Sequence, residues 1–329
     1  MFSLPGEVVA LIGLALIFDF LNGFNDSSTI VATMISSRAI APRRALMLTA
    51  VAEAIGPFLF GVAVASAIGR EIVDEAAVTL PVLIAALAAS IGWGVITWLL
   101  GIPSSSSHAL IGGLTGAAIA GFGLRALHWA GLGKVLLALF VSPPLGMLVG
   151  YVLMKLILFL AQGATPHINL FFKRGQVLAA LGLALPQGAN DAQKAMGVIT
   201  LGLVVSGALP AFEVPLWVVA VCAGVFALGT SLGGWRLIRT LGGKFYTIRP
   251  VHGFSTQLAA AGVLLGAVLL GGPVSTTQVV SSVIIGVGSA ERISKVRWNV
   301  AGQIATAWLL TIPMTALLAA GVYVLIRGA

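Results

Sequence analysis

Two short polar stretches each occur twice inside otherwise apolar sequence. Gly23-Phe24-Asn25-Asp26 returns as Gly188-Ala189-Asn190-Asp191, 165 positions later. Pro103-Ser104-Ser105-Ser106-Ser107-His108 returns as Pro273-Val274-Ser275-Thr276-Thr277-Gln278, at an offset of 170. Hydroxyls placed just ahead of a helix offer donors, and the helix N-terminus adds a positive partial charge. Ser104, Ser105, Ser106 and Ser107, with Ser275, Thr276 and Thr277, therefore suit a tetrahedral oxyanion, and Asn25 and Asn190 add further ligands. No Arg lies in these stretches, which fits a carrier, because a bidentate guanidinium clamp holds an anion tightly. The carboxylates of Asp26 and Asp191 would repel such an anion unless a cation binds beside it. Oxygens of Asn25, Asp26, Asn190 and Asp191 suit Na⁺, and protonation of an Asp would instead serve H⁺ coupling.

The elements that must carry these residues are membrane helices. Of 329 residues, 59% are hydrophobic and 9% charged, with a mean hydropathy of +1.07. A soluble domain carries about 25% charged residues. The windows Leu46–Ile68, Val78–Leu100 and Leu258–Val280 approach the ~20 apolar residues that span a bilayer. The fold class is an all-α polytopic membrane protein. A net charge of +8 is spread in short basic clusters between apolar runs, the pattern of cytoplasmic loops rather than of a nucleic-acid-binding face. The single Cys222 excludes an intramolecular disulfide and a cysteine metal cluster. Met1 to Asp19 lacks a basic leader and is expected to remain as the first span. Trp and Phe are expected to be lipid-facing or interfacial, with no cofactor role.

The duplicated motifs divide the chain into a first repeat (1–164), a polar connector (165–175, with Lys173 and Arg174) and a second repeat (176–329). Pro143 and Pro313 also correspond. Equivalent loops carry opposite charge. Arg38, Arg43 and Arg44 follow the first span, whereas the counterpart near Glu213 has no basic residue. The next loop carries Arg70 against Glu71, Asp74 and Glu75; its counterpart carries Arg236, Arg239, Lys244 and Arg249. The positive-inside rule then makes the repeats inverted in topology. It puts both termini outside and the connector in the cytoplasm, in a multi-pass inner (plasma) membrane protein. Arg125 and Lys134 run against the rule, in a loop this topology places outside. Each motif is expected to break its helix, and the stranded backbone groups need a cavity or ligand. The two Pro-Ser/Thr breaks are either tips of re-entrant hairpins or turns at the surface, and the charges do not separate these. Inverted repeats with broken helices at their interface are a signature of secondary transporters.

On Gly-x-Asn-Asp twice, and on Pro-Ser-Ser-Ser-Ser-His with Pro-Val-Ser-Thr-Thr-Gln, nearly the whole chain resembles the inorganic phosphate transporter (PiT) family of sodium- or proton-coupled carriers. The resemblance implies import of phosphate by alternating access, Na⁺ or H⁺ as the coupling ion without any other cofactor, and a homodimer. Glu53 matches a family position linked to transport. Gln257 stands where some members have Glu, and Gln278 where some have His. A branch of the family carries sulfate, so a sulfate permease is the nearest alternative. Further coupling candidates are Asp19, two helical turns before Asp26 on the same face, and His108, a residue type whose unperturbed side chain titrates near neutral pH. Lys194 either neutralises Asp191 from three residues away or contacts the anion. A cation exchanger would use the two Asp but has little use for two hydroxyl-rich breaks. An enzyme is not expected: Ser107 and His108 are adjacent, ~100° apart on a helix, with no third group to orient them.

Overall fold

The computed structural model describes residues 5–70, 72–270 and 274–328, with backbone only for 67–70. Helices follow the same order in both halves. The first half has α1 (Gly6–Ser36), α2 (Pro42–Phe60), α3 (Ala63–Arg70), α4 (Leu80–Leu100), α5 (Ser106–Phe122) and α6 (Trp129–Leu160). The second has α7 (Ile168–Val205), α8 (Leu216–Leu232), α9 (Trp235–Gly243), α10 (Pro250–Leu269), α11 (Thr276–Glu291) and α12 (Trp298–Gly328). Among the described residues, six helices are long and apolar enough to cross a membrane, or seven if α8 and α9 form one bent span.

Several boundaries differ from expectation. Gly-x-Asn-Asp does not break a helix: α1 and α7 run straight through Asn25-Asp26 and Asn190-Asp191. In α1 the following hydroxyls bond back to the chain, Ser27 to Phe24 O, Ser28 to Asn25 O and Thr29 to Asp26 O, so the polarity is absorbed without opening the backbone. The motif's glycine has a different task. A Cβ on Gly23 would lie 2.1 Å from Phe226 O, and one on Gly188 2.2 Å from Glu53 O. Both copies let a neighbouring backbone approach closely, α8 on α1 and α2 on α7, as small residues do between membrane helices. Leu46–Ile68 is two helices, parted at Gly61, whose φ of +72° favours glycine. Its counterpart bends by 67° at Gly233. Leu258–Val280 is likewise split between α10 and α11. Lys134 sits within α6, and Lys173 and Arg174 sit within α7 rather than in a loop.

The Pro-Ser/Thr stretches are true breaks. Left-handed Gly101 (φ +67°) ends α4, and Ser105 and Ser275 cap α5 and α11 by accepting from His108 N and Gln278 N. Ser105, Ser107, Ser275, Thr276 and Thr277 are all buried, so the hairpins turn inside the molecule and not at its surface. Pro273 and Glu71 lie outside the described residues.

Two apolar cores hold this frame, and neither belongs to one half. The first joins Val8–Phe18 of α1, the α4–α5 hairpin and Ala192–Leu203 of α7; the second joins Ile30–Met34 of α1, Ala180–Ala184 of α7 and the α10–α11 hairpin. Thus α1 passes from the first core to the second, and α7 from the second to the first. Packing is exchanged as well: α5 lies on α12 and α11 on α6. Val8 and Tyr323 both belong to the first core, so the start of α1 and the last turns of α12 both pack against it. The polar residues of α1 and α7 fall between the cores.

Candidate functional site

The two hairpin tips meet in that polar layer. Ser107 Oγ donates to Val274 O at 3.1 Å, and Asn190 Nδ2 donates to the same carbonyl at 3.1 Å. One turn further in, Gln278 Nε2 and His108 Nδ1 face each other at 3.3 Å. The N-termini of α5 and α11, each with a positive partial charge, therefore converge beside the Asn-Asp residues.

Hydroxyls and carboxylates are paired across the halves. Thr277 Oγ1 donates to Asp26 Oδ1 at 2.5 Å, and Thr276 Oγ1 to Asp191 Oδ2 at 2.9 Å. The other oxygen of Asp191 is also engaged: Lys194 Nζ lies 2.6 Å from Oδ1, and Asn190 Nδ2 donates to it at 3.0 Å. The Lys194 ammonium, fully buried, also reaches Ser106 Oγ at 2.9 Å. Asp26 is different. Its Oδ2 has no donor, and neither do the buried amide oxygens of Asn22, Asn25 and Asn190. A buried acceptor without a partner is costly, and oxygens of this kind suit a hard cation. A cavity of about 30 Å³ touches Asn22, Asn25, Asp26, Ser90, Ser104 and Ser106. A cavity of this kind has room for a small ion or water beside the unpaired oxygens.

The remaining expected residues are placed as follows. Ser104 shares a hydrogen bond with Thr97 at 2.8 Å, and Ser105 and Ser275 serve as caps. Glu53 stands off from the tips, accepting from Gln187 Nε2 at 3.1 Å and Thr230 Oγ1 at 2.5 Å. Gln187 also donates to Asp26 O and accepts from Thr29, so Glu53 is tied to the site through that amide. Gln257 Nε2 donates to Ile30 O and Thr33 Oγ1, fastening α10 to α1. Asp19 is fully buried, and neither of its oxygens has a donor. His108 Nδ1 also lies 3.3 Å from Trp308 O.

Four supporting residues carry no signal in the motifs: Asn22, Gln187, Gln193 and Thr230. Gln193 accepts from Val64 N and Ala65 N at the start of α3; Ser27 does the equivalent for Gly234 N before α9. Gln187 and Gln193 flank Gly-Ala-Asn-Asp within an apolar helix, and that setting was the available clue.

Residues 22–319 match the model of the phosphate transporter family. The chain is similar to a "Probable low-affinity inorganic phosphate transporter" of Bacillus subtilis, 42% identical over 95% of both chains. A protein of the same description from Rhizobium meliloti is 43% identical, covering 96% of this chain and 95% of its own. One from Mycobacterium tuberculosis is 45% identical over 95% of this chain and 76% of its own. Among solved structures, "The sodium-dependent phosphate transporter" superposes with a TM-score of 0.88 at 24% identity, over 98% of this chain and 99% of that one, a likeness of fold.

Proposed function

The chain belongs to the phosphate transporter family, carriers of inorganic phosphate in the membrane, and on that premise we propose that it imports phosphate together with Na⁺ by exchanging partners within the polar layer. The observation that carries this reading is the pairing of Thr276 and Thr277 with Asp191 and Asp26. Anion ligands and cation ligands satisfy one another there. A cation arriving at Asp26 takes over the carboxylate and frees a hydroxyl and a helix N-terminus for phosphate. Phosphate without the cation would face a bare carboxylate, and the cation without phosphate would strand a donor. Each ligand thus favours the other, which is the linkage a symporter needs.

Na⁺ is favoured over H⁺ because the unpaired acceptors that line the same cavity as Asp26 are amide oxygens of Asn22 and Asn25. Amides coordinate a metal ion but do not take up a proton at physiological pH. The name of the sodium-dependent structural neighbour points the same way. Asp19, with two oxygens lacking donors, supports the H⁺ reading. The opposite passage of α1 and α7 through the two cores supports inverted repeats, with the hairpins re-entrant from opposite sides. Arg38, Arg43, Arg44 and the 236–249 cluster adjoin the second core, whereas Asp74, Glu75 and Glu213 adjoin the first. The positive-inside rule then puts the second-core end in the cytoplasm of a plasma-membrane protein and both termini outside.

Reconstituted protein tests this with labelled phosphate uptake under an inward Na⁺ gradient, under a pH gradient alone, and with excess sulfate. Na⁺-driven uptake insensitive to sulfate is expected. Uptake with the pH gradient alone would transfer coupling to a proton, and sulfate flux without phosphate flux would overturn the substrate.

A further inference from the structure

The two Asn-Asp motifs occupy equivalent helices, yet only one has an open oxygen on its Asp. Asp26 keeps Oδ2 without a donor. Asp191 has both oxygens engaged, and its strongest partner is an ammonium of the same helix. At the repeat offset of 165, Lys194 corresponds to Thr29, whose hydroxyl bonds to Asp26 O and to Gln187. The halves therefore differ at one position by a full positive charge, fully buried.

We propose that Lys194 is a tethered cation that permanently fills the second of two cation positions, so that Asp191 carries no transported ion and coupling runs through Asp26 alone. This rests on the reading of Asp26 as the coupling-cation site. A lysine ammonium is a compact point charge. From the helix turn after Asp191 it spans to Ser106 Oγ, at the N-terminus of α5, joining carboxylate and hydroxyl at the junction of the tips. The salt bridge neutralises Asp191 within apolar surroundings, where an uncompensated charge would be costly. With a cation on Asp26, both Asn-Asp motifs become electrically equivalent, one by an exchangeable ion and the other by the chain itself. The result is one fewer ion moved per phosphate than the duplicated motif allows.

The test is Lys194→Thr, which gives the second half the residue of the first. Radiolabelled sodium and phosphate fluxes are measured together in proteoliposomes, with the proton flux followed by an internal dye. The variant is expected to move one more cation per phosphate than the parent and to show steeper activation by the driving cation. The double variant Asp191→Asn/Lys194→Thr removes both charges and is expected to return to the parental ratio. An unchanged ratio in Lys194→Thr with a raised phosphate KM would make Lys194 an anion ligand and overturn the proposal. Where the single variant fails to fold, the double variant decides: a ratio lowered by one shows that Asp191 held a transported ion, and the parental ratio supports the tethered cation. Parental protein whose phosphate uptake ignores both gradients would refute the underlying symport reading instead.

Discussion

Replacing Thr277 by Val should move the two substrates' affinities in opposite directions. Valine keeps the branched shape at a buried position and removes one hydroxyl, the donor that stands 2.5 Å from Asp26 Oδ1. A hydrogen bond to a charged group contributes about 1.5–3 kcal/mol, a neutral one about 0.5–1.5 kcal/mol. In the arrangement seen, that bond stabilises the carboxylate against the incoming cation. Its loss should tighten cation binding by about tenfold or more, at 1.4 kcal/mol per factor of ten. Phosphate, itself an anion, loses a donor that partner exchange would release to it, so its KM should rise by roughly 10- to 150-fold on the same charged-group figures. The assay is uptake into proteoliposomes, with half-activation by the driving cation and phosphate KM measured separately. Both constants moving the same way, or cation activation left unchanged, would refute partner exchange.

Gly188→Ala and Gly23→Ala place a methyl about 2 Å from a facing carbonyl, and backbone cannot step aside, so each should lose about 1–3 kcal/mol of stability. Gly13 faces open space where a Cβ would stand and serves as the control: its change to Ala within α1 should gain up to about 1 kcal/mol, all three read by thermal unfolding in one detergent. Glu53→Gln should fold and leave the phosphate KM within about twofold, because Thr230 can turn its hydroxyl to Gly23 O and accept from the new amide; Glu53→Ala leaves a buried N–H of Gln187 without the acceptor it has now and should cost about 1–3 kcal/mol in the same unfolding assay. At the exposed end of α11, Glu291 pairs with Arg249 and Lys295. Partial burial works to raise its pKa but is outweighed by the Lys295 hydrogen bond and the Arg249 charge, which hold the carboxyl at about 2. A depressed carboxylate stabilises the fold above its unfolded pKa of ~4.3 and loses that contribution as pH falls through the folded value. Melting temperatures from pH 7 to 3 should therefore show Glu291→Gln less stable than the parent throughout, with the gap narrowing only below about pH 4.

Much of this molecule is legible in one dimension. The duplicated motifs located the polar layer, because charged and amide side chains in apolar runs have few reasons to be there. The Pro-Ser/Thr stretches read correctly as breaks, since proline and a run of small hydroxyls neither continue a helix nor suit lipid. Asn25-Asp26 and Asn190-Asp191 read incorrectly as breaks. Composition cannot tell a polar side chain that leaves the helix intact from one that interrupts it; at Asn25-Asp26 the difference lies in back-bonding by Ser27, Ser28 and Thr29. Gly61 was equally hidden, because one left-handed residue inside an apolar run leaves hydropathy unchanged. The inequality of Asp26 and Asp191 depends on which side chains reach them from distant helices. Thr277 lies 251 residues from Asp26, and Gln187 lies 161 from it. Pairings at such separations are set by the packing of the two cores, which a linear pattern does not encode.

That separation has a consequence for how the protein is made. Asp26 leaves the ribosome 251 residues before Thr277, and at a synthesis rate of about 5–20 residues per second the interval is roughly 10–50 s. Until α11 is made, α1 carries Asp19, Asn22, Asn25 and Asp26 in a bilayer without their full set of partners, because the hydroxyl that meets Asp26 is still unmade. The first helix of this chain is therefore poorly suited to wait alone in lipid. It must be sheltered by the insertion machinery, or by water at its edge, until the last hairpin closes over it. A chain released before α11 would present these same four side chains as a readable mark of incompleteness to membrane proteases.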